Sequence, residues 1–147
     1  MTVMVCVDGS AGSRAAIRLA AQEARYREAP LMAMMAYSGD RVLGAPAARP
    51  LATLRTGEDE RVSTEVVLQD IVRDALGGQA DGVEFRVMAG VPGRAIVQAA
   101  RAVHAQLVVL TSRADATTAW MLGAVSQHVL RHAPCPVLVV PAASQAS

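Results

Sequence analysis

Apolar residues fall into five short runs along the chain, separated by segments in which apolar residues recur every three or four positions. Four of the runs are continuous and too short for helices, which predicts buried strands, whereas Val83–Met88 alternates with Glu84 and Arg86, which predicts a strand at a sheet edge with one face partly wet. The spacing of apolar residues between the runs predicts amphipathic helices. Strands that alternate with helices form a parallel sheet with right-handed crossovers, so we expect an α/β fold. The predicted strands are Val3–Val7, Leu31–Tyr37, Val83–Met88, Leu107–Leu110 and Val137–Val140.

Start and stop signals place four helices between these strands. The first helix is expected to begin at about Ser13, and the third begins at Pro92, which suits a first helical turn. Thr56–Asp59 has the spacing of a capping box, and the helix that follows ends at Gly77-Gly78. The last helix is expected from about Met121 to His132, where two prolines stop it.

Two segments lack periodicity. Arg41–Arg55 contains Gly and Pro among scattered Ala and predicts a flexible loop, and residues 142–147 predict a disordered tail. The length of 147 residues favours a single domain spanning 1–147.

Charge and cysteine content exclude several classes of partner. The formal net charge is +1 and no run of like charge occurs, so neither nucleic acid nor an anionic membrane is an expected partner. No apolar run approaches the roughly 18 residues of a membrane span. Cys6 and Cys135 lie in or beside apolar strand segments, which predicts two reduced, buried thiols in a cytoplasmic protein.

Three groups could carry chemistry. Asp8 ends the first strand, where a carboxylate could bind a ribose, an adenine amine or a metal, or could simply form an Asx-turn or helix cap. His128 and His132 have a spacing that can ligate zinc, but no Glu accompanies them, and a solvated helix face is the expectation. Ser112 and Ser126 lack a nucleophile elbow, so a hydrolase has no support.

Four stretches together resemble a universal stress protein of the single-domain type. They are V-x-V-D-G-S at 5–10, Leu107–Arg113, Leu122–Ser126 and Cys135–Val140. The resemblance implies a doubly wound sheet of order 3-2-1-4-5 with helices on both faces, of the adenine-nucleotide alpha-hydrolase-like type. It also implies a non-enzymatic homodimer that pairs through its last strand, Val137–Val140. Many members bind ATP through a Gly-x2-Gly-x9-Gly-Ser/Thr loop, in which glycines let the backbone approach the phosphates.

The chain departs from that loop at four points. Thr111 and Ala114 replace the first two glycines, and Ala124 replaces the Ser or Thr. Between Ala114 and Gly123 there are eight residues instead of nine. These changes predict weak or absent ATP binding, with no cofactor expected. The degenerate nucleotide site that the resemblance implies consists of Asp8, Ala36, Thr111, Arg113, Ala114, Gly123, Ala124, Val125 and Ser126.

Three functions follow from this pattern. The leading hypothesis is a cytoplasmic, dimeric regulatory or protective stress protein whose protein client is not identified. The alternative is an adenine-nucleotide binder that uses Arg113 and Ser126 in a remodelled loop. The third is a nucleotide-dependent ligase or transferase on a related fold, for which the chain leaves no room for a substrate domain.

Overall fold

A computed structural model of the chain describes residues 1–37, 57–112 and 123–141. Within these ranges strands and helices alternate, which confirms the predicted α/β class. The strands are β1 (Thr2–Cys6), β2 (Leu31–Tyr37), β3 (Glu84–Ala89), β4 (Ala105–Ser112) and β5 (Val137–Pro141). The helices are α1 (Ser13–Tyr26), α2 (Gly57–Ala75), α3 (Pro92–Ala102) and α4 (Ala124–His132).

The five strands form one parallel sheet in the order β3-β2-β1-β4-β5. This is the order that the family resemblance implied, and β1 and β4 are adjacent and central as expected. β3 and β5 form the two edges, in agreement with the alternating pattern that placed Val83–Met88 at an edge. The chain therefore leaves β1 and β4 in opposite directions across the sheet, which opens a cleft at their carboxyl ends.

Strand side chains alternate between two apolar layers, because successive residues of a strand point to opposite faces. One layer lies beneath α1 and α2 and includes Val3, Val5 and Ala33. The other lies beneath α3 and α4 and includes Met4, Met32 and Val108. Helices therefore cover both faces of the sheet, as the resemblance implied.

Three element bounds near the cleft differ from the prediction, and the first is the end of β1, which lies at Cys6 instead of Val7. β4 extends through Thr111 and Ser112, which were expected in the loop, because these residues align with Val140 and Pro141 of β5. Backbone pairing to β5 thus prolongs the strand beyond its apolar run. α4 begins at Ala124, and the expected first turn at Met121 lies outside the described residues.

Several predictions concern residues that the structure does not describe. The flexible loop at Arg41–Arg55, the capping residue Thr56 and the tail at 142–147 belong to this group. α2 begins at Gly57, and its first turn carries Glu58, Asp59 and Glu60, which suit the positive end of the helix dipole.

Candidate functional site

A cavity of about 370 Å³ lies at the carboxyl ends of the central strands. β1 and β2 form one side, and the end of β4 and the start of α4 form another. This is the position at which α/β sheets commonly bind ligands, and the volume lies near the lower end of the range for small-molecule sites.

The cavity brings together seven of the nine residues that the resemblance implied for a nucleotide site. They are Asp8, Ala36, Thr111, Gly123, Ala124, Val125 and Ser126. Arg113 and Ala114 lie outside the described residues. Whether these seven bind a ligand stays a prediction.

Sequence reasoning missed most of the apolar wall of the cavity. Cys6, Met34 and Leu110 line it from the sheet, and Pro92 and Ile96 line it from α3. The strand alternation contained part of this information, because Cys6, Met34 and Leu110 belong to the same face as Ala36. The contribution of α3 depends on how that helix crosses the sheet, for which the sequence has no local signal.

Asp8 forms the Asx-turn that was one of its two predicted roles. The Ser10 backbone N–H donates to Asp8 Oδ1 at 2.9 Å, and the Ser13 hydroxyl donates to the same oxygen at 3.0 Å. The Asp8 N–H donates in turn to Ser13 Oγ at 3.3 Å. Gly9, at φ 81°, supplies the left-handed residue of this turn. Asp8 is therefore held by its own loop, with its side chain at the mouth of the cavity.

Thr111 lies in extended backbone at the end of β4. It is only 8% exposed, and its hydroxyl donates to the Gly12 carbonyl at 3.2 Å. Thr111 does not have a positive φ, because among the described residues only Glu28 and His104 do so without being glycine. Thr111, at the position where the resemblance implies a glycine, therefore has no backbone strain, and its side chain packs against the start of α1.

The start of α4 provides the electropositive part of the cavity. Gly123 is the extended N-cap residue, and the first intrahelical bond runs from the Gln127 N–H to the Gly123 carbonyl at 3.0 Å. The N–H groups of Ala124, Val125 and Ser126 therefore precede the helical hydrogen-bond pattern. The N-cap residue, Gly123, has no side chain to cap them and the first turn contains no acidic residue, so the helix dipole favours an anion here.

The two cysteines are free, as expected, but both residues are only partly buried, whereas the sequence predicted buried thiols. Burial raises the pKa of Cys6 far above its usual range, and the carboxylate of Asp8 and then Cys135 raise it further. Burial also raises the pKa of Cys135. The Cys6 thiol at the cavity wall therefore stays protonated at neutral pH, which disfavours a role as a nucleophile.

The described ranges contain neither a metal cluster nor a membrane helix. No group of three or more His, Cys, Asp and Glu side chains in them could hold a metal ion. The rings of His128 and His132 lie 4.4 Å apart on α4, and both residues line a groove next to α3. Within the same ranges, no helix has both the length and the apolar character that crossing a membrane requires.

Comparison with known proteins points to one family. The universal stress protein family model matches residues 1–141. A universal stress protein of Thermus aquaticus is 34% identical over 143 residues, which cover 95% of this chain and 97% of that protein.

Solved structures have the same architecture. A universal stress protein crystallised in complex with cAMP is 29% identical, with a TM-score of 0.68 and 95% of each chain covered. A universal stress protein of Lactobacillus plantarum has a TM-score of 0.70 at 21% identity, with 95% of this chain and 97% of that chain covered, and this second likeness concerns the fold alone. The match of the family model to nearly the whole chain, together with the sheet order and the cavity, shows that the chain belongs to the universal stress protein family.

Proposed function

We propose that this chain is a cytoplasmic, non-enzymatic stress-response protein that acts as a regulatory or protective dimer and binds ATP weakly or not at all. One observation carries the nucleotide part of the proposal. The side chain of Thr111 is buried between β4 and α1, at the position where the ATP-binding loop of the family begins with glycine.

The chemistry of the cavity supports weak ATP binding. Ala124 begins α4 without the hydroxyl that the family pattern places there. Losing a hydrogen bond to a charged phosphate costs roughly 1.5–3 kcal/mol, which corresponds to about one to two powers of ten in affinity. Because Thr111 adds no backbone strain, we expect the total loss to be smaller than it would be with a positive φ at that position.

A second candidate function is the binding of an adenine nucleotide with a single phosphate. The cavity has mainly apolar walls suited to a base, and the start of α4 favours one anionic group. A related protein that is 29% identical has been crystallised with cAMP. One phosphate at one helix start would not need the remainder of the triphosphate loop.

Isothermal titration calorimetry with Mg-ATP, AMP and cAMP separates the two candidates. The leading proposal expects no saturable heat with Mg-ATP up to about 1 mM. A Kd of this size corresponds to a binding free energy of about −4 kcal/mol. Saturation by ATP in the micromolar range would overturn it. Micromolar binding of AMP or cAMP without comparable ATP binding would instead favour the second candidate.

The dimer part of the proposal is supported by the position of β5 at an edge of the sheet. The Val108 N–H donates to the Pro136 carbonyl at 3.1 Å, and Val108 is aligned with Val137. In a parallel ladder a residue bonds to the two neighbours of its aligned partner, so Leu138 faces β4. Val137 and Val139 therefore present their backbone donors and acceptors at the open edge, which is a template for a second copy of the strand.

A further inference from the structure

Charge is distributed unevenly over the two faces of this nearly neutral chain. α3 and α4 carry three arginines and two histidines but no acidic residue. α1 and α2, on the opposite face of the sheet, together carry seven acidic residues and five arginines. The outer surface of α3 and α4 is therefore basic although the formal net charge of the chain is only +1.

A shallow groove of about 350 Å³ runs between α3 and α4 in this basic surface. Arg94, Gln98 and Arg101 line it from α3, and His128 and His132 line it from α4. Val97, which is 6% exposed, forms an apolar floor. Within the ranges that the structure describes, neither Arg94 nor Arg101 forms a salt bridge with an acidic side chain.

Contacts within α4 and between α3 and α4 hold His128, His132 and Arg101 in place. The ring of His128 packs over Gly93, where an added Cβ would lie 3.1 Å from the ring, and the ring of His132 lies 4.4 Å from that of His128. The Arg101 guanidinium donates to the His132 carbonyl at 3.4 Å. Side chains that are already ordered lose less entropy on binding, so the groove is partly preorganised.

The basic groups of the groove form a row along the helices. Arg94 and Arg101 are seven residues apart on α3, which corresponds to about 10 Å along the helix axis. Guanidinium groups bind carboxylates through paired hydrogen bonds, and even a neutral imidazole donates one N–H. Such a row matches several carboxylates spaced along an extended chain better than it matches one compact anion.

We propose that the groove between α3 and α4 binds an acidic peptide segment of a partner protein. The segment would place its carboxylates against Arg94 and Arg101 and would contact Val97 through its backbone or aliphatic carbons. The groove shares no lining residue with the cavity at the ends of the central strands and does not include the open edge of β5.

Fluorescence anisotropy with a fluorescein-labelled peptide of ten glutamates tests the proposal. Saturable binding to the intact chain is expected at about 50 mM salt, with a weaker affinity at 150 mM because exposed charges are screened. The double variant R94Q/R101Q should bind at least about tenfold more weakly, given the typical strength of charge-assisted hydrogen bonds. The matched control R25Q/R73Q removes the same charge from exposed positions of α1 and α2 and should retain most of the affinity.

Each opposite result would overturn the proposal. Absence of saturable binding by the intact chain, or equal losses in both double variants, would mean that the groove does not recognise the peptide. Complete displacement by about 1 mM inorganic phosphate would identify a small-anion site, and tighter binding of polyuridylate RNA that depends on Arg94 and Arg101 would identify a nucleic-acid surface. Circular dichroism of both variants establishes that a loss does not arise from unfolding.

Discussion

Thr111, near the end of β4, packs directly against Gly12, the residue before α1. The Thr111 hydroxyl donates to the Gly12 carbonyl at 3.2 Å, and its methyl group occupies the space that a Cβ on Gly12 would need. Gly12 does not have a positive φ, so glycine is required here by close approach and not by backbone conformation. A departure from the family loop in β4 is thus accommodated by the residue before α1.

The pair predicts that Gly12→Ala destabilises the protein. The added methyl would overlap the Thr111 side chain, and overpacking of this kind costs about 1–3 kcal/mol of unfolding free energy. Thr111→Ser removes the methyl but keeps the hydroxyl, so the double variant should recover part of the loss. Urea unfolding of all four proteins measures the coupling between the two sites. An equal effect of Gly12→Ala in both backgrounds would show that the two residues are not coupled.

We expect a hydroxyl at position 124, at the start of α4, to increase the affinity for nucleotide. Ala124→Thr places a donor at the start of α4, where the family pattern has Ser or Thr, and should tighten nucleotide binding by about tenfold or more if a phosphate reaches this helix start. Ala124→Val has nearly the same shape without the hydroxyl and serves as the control. Calorimetry with AMP and Mg-ATP measures both variants. An identical affinity in the two variants would exclude a phosphate contact at this position.

The edge position of β5 predicts that Val139→Pro abolishes dimer formation. The N–H of Val139 faces the open edge, so proline removes a donor from the intersubunit ladder and leaves the bonds between β5 and β4 in place. Val139→Ala keeps the donor and should remain dimeric, although truncation of the side chain weakens its packing. Sedimentation velocity distinguishes the two states. A dimeric proline variant would show that another surface joins the subunits.

The raised pKa of Cys6 predicts slow reaction with alkylating reagents. In a Cys135→Ser variant, iodoacetamide at pH 8 should modify Cys6 at least about tenfold more slowly than a free thiol, because the thiolate fraction falls tenfold with each unit of pKa. The reciprocal Cys6→Ser variant reports on Cys135, whose pKa is raised less. Reaction of folded Cys6 at the rate of a free thiol would contradict the prediction.

The same shift predicts a loss of stability at alkaline pH. In the unfolded chain a thiol loses its proton above about pH 8.5, whereas the folded protein keeps the Cys6 proton to much higher pH. The contribution of Cys6 to the free energy of unfolding is therefore fully present below about pH 8.5, and this free energy falls as the pH rises above about 8.5. Cys6→Ala should reduce this slope between about pH 8.5 and 10, as measured by urea unfolding.

The sequence alone contained most of the fold. Short apolar runs identified the strands, and the run Leu31–Tyr37 matches β2 at both ends. The period of three to four between the runs identified the helices, because burial of one helix face imposes that period. The strand order was not contained in these local patterns and came from the resemblance. Local periodicity also ended the fourth strand at Leu110, whereas the structure continues it through Thr111 and Ser112 because β5 supplies backbone partners.

The candidate site divides in the same way between sequence and tertiary structure. The sequence placed Asp8 and Gly123 at the cavity because both follow local motifs at the end of a strand or the start of a helix. Ile96 joins them only because α3 crosses back over the sheet, and Gly12 meets Thr111 only because β1 and β4 are neighbours. Thr111 and Gly12 are about a hundred positions apart, so their contact depends on how the elements pack. No local sequence pattern around either residue indicates which residue it contacts.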